Sequence, residues 1–194
     1  MGRSNRMKLA KQLVRPIIKS FIRKNIVTEP KLVDLKEKQC IGYMITTSFK
    51  GNQKKKDIPP FWHDIYDNDK LSTLKKNNDD NMYCIFDFHD NGKDFDYYVA
   101  VENKAGISDE KYSEVTLSKG KYVQVEFMKR NHTAAALIAV YIKKIWIELN
   151  GYKERNSPAF ILYDERFGQN YKKHGYKGKD YLGDPIATLH IPLQ

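Results

Sequence analysis

The chain has 194 residues, of which 41% are hydrophobic and 30% charged, and its net charge at pH 7 is +10. This composition fits a soluble globular domain and excludes global disorder, and no apolar run approaches the roughly 18 residues of a membrane-spanning helix. Cys40 and Cys84 have no cysteine or histidine at metal-binding spacing. The sequence therefore predicts reduced thiols, a cytoplasmic setting, no cofactor, no metal site and no disulfide.

The positive charge is concentrated at the start of the chain. Residues 1–24 contain eight Lys or Arg and no acid, which leaves 26 basic and 24 acidic residues in the rest. The nearly neutral remainder gives no indication of a nucleic-acid-binding face. Apolar residues recur at helical spacing between Leu9 and Ile22, so residues 1–30 are predicted to form a basic amphipathic helical arm. This arm is expected to dock on the domain, join a homodimer, or bind an acidic partner, a membrane or DNA.

The domain is predicted to begin at residue 31 and to end at residue 194. Its first half opens with "LVDLKEKQCIGYMITTSF", which has the composition of a strand, followed by the polar loop "KGNQKKKD". "IPPFWHDIYDNDKLSTL" predicts a helix that starts at its two prolines. "MYCIFDFH" and "DFDYYVAVEN" predict two strands joined by a hairpin with Asn91-Gly92 in its turn. The order is β-α-β-β.

The second half repeats this order. "YSEVTLSKGKYVQVEFMKR" predicts a strand with a bend at residues 118–120, and "AALIAVYIKKIWIELNG" predicts an apolar helix that ends at Gly151. "PAFILYDERF" and "DPIATLHIPLQ" predict two further strands. The predicted class is α+β: residues 31–103 and 112–193 form two pseudo-symmetric β-α-β-β units in one concave antiparallel sheet, with two helices behind it.

The ordered set "IPPFWHDIY", "MYCIFDF", "DYYVAVEN", "LSKGKYVQVEF", "KKIWIELNGY", "PAFILYDERF" and "LHIPLQ" resembles a bacterial family over residues 30–194. It is similar to the gyrase-inhibitory-protein-like effector-binding domains, which also occur in AraC/Rob-type and BmrR-type regulators of transcription. The resemblance implies a ligand pocket at the seam between the two units. It also implies binding of small, often cationic and aromatic, compounds, as in multidrug-binding regulators.

The chain departs from the family pattern in two respects. Only about 30 residues precede the domain, without a helix-turn-helix pattern, so a stand-alone member without a DNA-binding domain is expected. The family strand that matches "PAFILYDERF" typically carries glutamate at its fourth position, where this chain has Ile161. The resemblance therefore implies an apolar pocket floor at this position, and Ile161→Glu is expected to strengthen cation binding.

Period-two alternation along the strands assigns side chains to the two faces of the sheet. If Ile161 faces the pocket, Tyr163 and Glu165 do so as well, whereas Phe160 and Leu162 face the helices. The remaining strands place tyrosines and glutamates on the concave face, and Trp62 is expected at the pocket edge. The predicted ligand-binding residues are Trp62, Tyr98, Glu102, Tyr122, Glu126, Ile161, Tyr163, Glu165 and His190. The competing interpretation is a solvent-exposed sheet face whose glutamates pair with lysines.

Three classes of function remain open. The first is a small-molecule-binding protein that acts as a sensor or a sequestering protein, with Glu102 as the first choice of cation-binding acid and Glu126 as the second. The second is a hydrolase of electrophilic small molecules that uses Tyr98, Glu102 or Glu126 as acid or base, although no catalytic nucleophile is identified. The third is a protein-interaction module that inhibits a DNA-acting enzyme, with the basic arm contacting an acidic partner.

Overall fold

The computed structural model describes residues 25–76, 78, 80–128, 132–164 and 186–194. Residues 1–24 of the predicted helical arm at residues 1–30 lie outside the described residues, whereas Ile26 forms an antiparallel β-bridge with Phe127. In the described part of the chain, no helix is long and apolar enough to cross a membrane. The strands are β1 (Lys31–Leu35), β2 (Lys38–Ser48), β3 (Met82–Phe88), β4 (Asp94–Glu102), β5 (Ser113–Leu117), β6 (Gly120–Met128), β7 (Ala159–Tyr163) and β8 (Ile186–Pro192). The helices are α1 (Lys54–Asp67), α2 (Ser72–Lys76), α3 (His132–Tyr141) and α4 (Ile147–Leu149), with a 3-10 turn at Lys50–Asn52 and a π-helical turn at Ile142–Trp146.

All eight strands form one antiparallel sheet in the order β1-β6-β8-β7-β3-β4-β2-β5. Two groups of four strands meet at the β7–β3 pair, and Cys84 pairs with Ile161 in the middle of this seam. The two outer ladders have the same register: β1 and β5 start 82 residues apart, at 31 and 113, and β2 and β6 also start 82 residues apart, at 38 and 120. The predicted pseudo-symmetric α+β fold is confirmed.

Two short links force this sheet to curl. β1 and β2 are separated by residues 36 and 37 alone, yet they occupy the first and seventh positions of the sheet. Likewise, only Ser118 and Lys119 separate β5, in the eighth position, from β6, in the second. In a flat sheet, six strand spacings would measure roughly 29 Å. Three peptide steps reach about 11 Å at most, so the two edges of the sheet must meet at one corner in a half-barrel.

These links also explain where the predicted elements differ from the structure. Each of the two long predicted strands is divided between the two halves of the sheet, because alternation along a strand carries no information on its pairing partner.

The start of the first helix also differs from the prediction. The helix α1 begins at Lys54 rather than at the prolines, so Pro59 and Pro60 lie inside it. The backbone carbonyls of Lys55 and Lys56 lose their helical donors as a result. Both of these lysines are exposed, so water can satisfy the two carbonyls.

Helices pack on one face of the sheet, whereas strand residues alone form the buried apolar cluster on the other. On the helix face, Ile65 of α1, Leu74 of α2 and Ile138 of α3 pack on strand residues such as Val99 and Val125. The opposite face is named here the tyrosine face, and all its buried apolar members come from strands: Cys40, Tyr83, Ile85, Tyr98, Ala100, Val115, Leu117, Tyr122 and Phe160. Val33 and Leu35 of one edge strand pack against the same cluster as Val115 and Leu117 of the other. The tyrosine face is therefore the inside of the curl.

Gly42 allows the close approach of β2 and β4 that this curl requires. A Cβ atom at this position would lie 2.2 Å from the Val99 carbonyl oxygen and 2.5 Å from the Cα of Ala100. Because these atoms are backbone, they cannot move aside as a flexible side chain would. We expect Gly42→Ala to lower the free energy of unfolding by about 1–3 kcal/mol, as overpacked sites do.

Urea denaturation monitored by circular dichroism measures this effect. Met44→Ala is the matched control, because Met44 lies on the same strand and is 37% exposed. Its cost should stay within about 0.5 kcal/mol, as at other surface positions. Equal stability of Gly42→Ala and the unchanged protein would show that the strands are not held this close.

Candidate functional site

The tyrosine face presents a continuous row of aromatic rings across the seam. The Phe160 ring lies 5.8 Å from the Tyr83 ring and 5.9 Å from the Tyr122 ring, measured between centroids. On its other side it stacks on the imidazole of His190 at 4.3 Å with an interplanar angle of 10°. Tyr98 lies on the same face, because its register partner Ile85 belongs to the same cluster. The structure thus places Tyr98, Tyr122 and His190 together, as the alternation predicted.

The tyrosines of this face are buried. Tyr122 is 0% exposed, Tyr83 3% and Tyr98 7%. The competing interpretation of a solvent-exposed tyrosine face is therefore wrong for these residues. The curl of the sheet is the reason, because it turns the two edge strands toward each other over this surface.

The predicted facing of β7 is also wrong. Ile161 and Tyr163 belong to the helix-face core, where Ile161 is 5% exposed and pairs with Cys84. Phe160 and Leu162 point to the tyrosine face instead. Alternation determines which residues of a strand share a face, but it does not determine which face that is. The prediction that Phe160 and Leu162 face the helices came from the family position of Ile161, and the structure contradicts it.

Trp62 also lies with the helix-face core rather than on the tyrosine face. Its indole N–H donates a hydrogen bond of 2.9 Å to the hydroxyl oxygen of Tyr97, and its ring stacks on Tyr66 at 5.1 Å. It meets the Tyr163 ring edge-on at 6.4 Å. Burial, followed by the neighbouring Cys84 thiol, raises the pKa of Tyr97 and Tyr163 well above the usual value. This group is neutral and hydrogen-bonded within the core.

The glutamates selected from the sequence occupy different surroundings. Glu102 lies on the tyrosine face at the corner where the edges meet, and its carboxylate is 2.5 Å from the ammonium group of Lys38. It already has a counterion. Glu126 lies on β6 opposite Thr188, and its backbone carbonyl accepts a hydrogen bond from the Val27 N–H. Glu165 lies outside the described residues.

Two aspartates that the sequence interpretation did not select lie on the tyrosine face beside Tyr98. Asp87 and Asp96 are register partners on β3 and β4, and each is half-buried. Asp96 accepts a 2.6 Å hydrogen bond from the Thr46 hydroxyl and lies 3.1 Å from the His89 imidazole. Among the described residues, no side chain pairs with the Asp87 carboxylate. Alternation along "MYCIFDF" would have identified Asp87, since it shares its face with Tyr83 and Ile85.

The electrostatics confirm that these groups are close together. Burial first, and then the negative charge of Asp96, raise the pKa of Asp87, whereas His89 opposes this shift. The hydrogen bond to Asp96 raises the pKa of the exposed His89. Burial, followed by Asp96 and Asp87, raises the pKa of the Tyr98 phenol, which therefore stays neutral. An aromatic surface with two adjacent carboxylates is suited to attract an organic cation.

His190 is a deeply buried titratable group that the sequence placed on this face. It is 4% exposed, and burial lowers its pKa to about 4. Its Nδ1 atom is buried without a hydrogen-bond partner among the described residues. A neutral imidazole with an unpaired ring nitrogen can form one hydrogen bond with a bound molecule, as donor or as acceptor according to its tautomer. In the described part of the chain, no group of three or more His, Cys, Asp or Glu side chains is arranged to hold a metal ion.

The fold is an eight-stranded antiparallel half-barrel of two pseudo-symmetric units, and the family match places it in the effector-binding class. The chain belongs to the Cass2 family, described as integron-associated effector binding proteins, whose family model matches residues 31–180. The effector-binding class predicted from the sequence is confirmed by this match, whereas the gyrase-inhibitory-like branch stays a prediction. No curated protein matches the sequence.

Solved structures of other proteins share this fold. SAV2435, solved bound to tetraphenylphosphonium, is 21% identical over 86% of this chain and 94% of its own, with a TM-score of 0.64. A putative bacterial transcription regulation protein from Staphylococcus aureus MU50 is 19% identical over 86% of this chain and 99% of its own, with a TM-score of 0.62. An integron cassette protein from the mobile metagenome of Vibrio cholerae is 15% identical over 85% of this chain and 95% of its own, with a TM-score of 0.52. At these identities the likeness extends to the fold alone.

The buried imidazole of His190 should make stability depend on pH. In the unfolded chain His190 takes up a proton near pH 6.5, whereas in the folded protein it does so only near pH 4. The unfolded state therefore binds more protons between these values, so stability decreases as the pH falls from 7 to 4. We expect a loss of about 3 kcal/mol over this range, which His190→Phe should largely abolish. Urea titrations at pH 7 and pH 4 measure this change in the free energy of unfolding. An NMR titration of His190 with a midpoint near 6.5 would contradict the prediction.

The position of Ile161 changes the effect expected of Ile161→Glu. A carboxylate at this position would lie in the helix-face core without a counterion, so we expect a loss of stability of about 3–5 kcal/mol at pH 7. Burial should raise the folded-state pKa of the new carboxyl, so the loss should grow as the pH rises above its unfolded pKa of about 4.3. Ile161→Val is the control, with a cost of about 0.5–1.5 kcal/mol. A stable Ile161→Glu variant with increased cation affinity would contradict this placement.

Proposed function

We propose that this protein binds small lipophilic molecules with an aromatic group or a positive charge on its tyrosine face, as a sensor or a sequestering protein. The observation that carries the proposal is the position of Asp87. Its half-buried carboxylate lies beside Tyr98 on an aromatic surface and makes no hydrogen bond or ion pair with a side chain of the described residues, although His89 is close enough to lower its pKa slightly.

The energetics of such a surface favour a cation with a large apolar body. Each aromatic ring that a cation meets face-on contributes about 0.5–2 kcal/mol, and the apolar body gains from leaving water. A carboxylate with a raised pKa is destabilised in its charged form by burial, and an incoming cation relieves this cost. A neutral aromatic molecule would gain the apolar contribution alone. The proposed site therefore prefers cations to neutral molecules of the same shape.

The comparisons support the same class of ligand. SAV2435, which shares the fold, was solved with tetraphenylphosphonium, a lipophilic aromatic cation. Membership of an effector-binding family supports small-molecule recognition in general. The preference for cations in this chain rests on Asp87, Asp96 and Tyr98.

Calorimetric titration with tetraphenylphosphonium tests the proposed site. Asp87→Asn keeps the size of the side chain and removes its charge, so we expect weaker binding by about 1–3 kcal/mol, the usual contribution of a charge-assisted contact. Glu102→Gln is the matched control, since its carboxylate is neutralised by Lys38, and its effect should be smaller. Triphenylphosphine oxide is the neutral comparison, and its affinity should be the same for all three proteins.

The pH dependence of cation affinity provides a second test of the same proposal. Because the pKa of Asp87 is raised above 3.8, its charge is lost earlier than usual as the pH falls. Cation affinity should then decrease as the pH is lowered through this raised pKa, and Asp87→Asn should be less sensitive. Equal binding of tetraphenylphosphonium by Asp87→Asn and the unchanged protein would exclude Asp87 as the counter-charge.

A further inference from the structure

A second polar group lies at the corner where the two sheet edges meet, and it is positively charged. The guanidinium of Arg155 lies 5.4 Å from the centre of the Tyr122 ring. Its Nη1 atom donates a 2.9 Å hydrogen bond to the backbone carbonyl of Lys119. The Ser118 and Ser157 hydroxyls lie 3.3 Å apart, and the Tyr122 hydroxyl donates to the carbonyl of Ser118 at 2.7 Å. Tyr122 thus belongs both to this corner and to the tyrosine face.

The local backbone makes room for this guanidinium. Gly120 has φ +132°, and a Cβ atom there would lie 2.6 Å from Nη1 of Arg155. Any other residue at position 120 would be strained and would also collide with the arginine. The start of β6 therefore holds the guanidinium against its backbone.

Two donor atoms of Arg155 have no acceptor in hydrogen-bonding geometry, although the guanidinium lies close enough to the Tyr122 hydroxyl to oppose the rise in the Tyr122 pKa that burial causes. Its Nε and Nη2 atoms are both buried and have no hydrogen-bond partner among the described residues. The N–H groups of these two atoms point in the same direction along one edge of the guanidinium, which is the geometry that receives the two oxygens of a carboxylate. A buried charged donor without an acceptor costs more than an ordinary unpaired group. The nearby hydroxyls belong to Ser118, Ser157 and Tyr122, and no carboxylate of the described residues forms an ion pair with Arg155.

We infer that this corner is an oxyanion subsite that receives the carboxylate of an aromatic acid whose ring lies on the tyrosine face beside Tyr122. This inference rests on the proposed function, because it uses the same aromatic surface. Nε and Nη2 bind the two carboxylate oxygens, and the Ser157 hydroxyl, which donates to the Ser118 hydroxyl at 3.3 Å, turns from Ser118 to donate to the same carboxylate. The exposed Lys119, whose backbone carbonyl accepts the hydrogen bond from Nη1, places this guanidinium next to the solvent-exposed link between β5 and β6. Ligands then include aromatic anions and zwitterions in addition to cations.

Titration with 2-naphthoate and with its neutral methyl ester tests the inference. Arg155→Lys keeps the positive charge but removes the paired donors, so we expect about tenfold or greater loss of 2-naphthoate affinity. The affinity for the ester should change by less than about twofold, because it makes no ion pair. Lys121→Ala is the control for net charge, since this exposed lysine lies next to the corner, and it should leave both affinities nearly unchanged.

Ser157→Ala is a second variant in case Arg155→Lys does not fold, and it should weaken 2-naphthoate several-fold but not the ester. The inference is overturned if 2-naphthoate binds Arg155→Lys, or Ser157→Ala where the former does not fold, as tightly as the unchanged protein. It is also overturned if inorganic phosphate binds in an Arg155-dependent manner while 2-naphthoate does not, since the corner would then act without the tyrosine face. Binding of tetraphenylphosphonium that depends on Asp87, without any of these Arg155 effects, would reject this subsite and leave the proposed function intact.

Discussion

The structure depends on one constraint, the shortness of the two links that join opposite parts of the sheet. Residues 36–37 and 118–119 each connect strands six positions apart. Two residues cannot span a flat sheet of this width, so the edges are brought together. The curl buries the tyrosine face although its buried apolar members all come from strands. The same constraint places Tyr122, Ser118 and Arg155 at one corner.

The curl gives the two faces different roles. The helix face carries an apolar core, in which the Trp62 indole N–H donates a hydrogen bond to the Tyr97 hydroxyl. The tyrosine face instead holds polar groups with unused capacity, namely Asp87, the Nδ1 atom of His190 and one edge of Arg155. A buried polar group without a hydrogen-bond partner lowers the free energy of unfolding, and a bound molecule can supply the missing partner.

The charges on this face are separated in space. The carboxylates of Asp87 and Asp96 lie beside Tyr98 in the first half of the sheet, whereas Arg155 lies beside Tyr122 in the second half. Between them, the rings of Tyr83 and Phe160 and the neutral imidazole of His190 form an uncharged surface. The family to which the chain belongs is described as effector binding.

The sequence by itself determined the α+β class and the repetition of one unit, because these follow from local periodicity, although the first predicted strand of each unit is two strands in the structure. It also grouped Tyr98 with Tyr122, because the valines that alternate with them indicate the core side of each strand. It did not determine the facing of β7, where alternation groups Ile161 with Tyr163 but leaves two choices of side. Nor did it identify Lys38 as the partner of Glu102, or Asp87 as a neighbour of Tyr98, since both contacts form across strands. Those contacts depend on pairing register and on the curl, which result from the two-residue links. Only the tertiary structure decided them, because long-range pairing leaves no periodic signal along the chain.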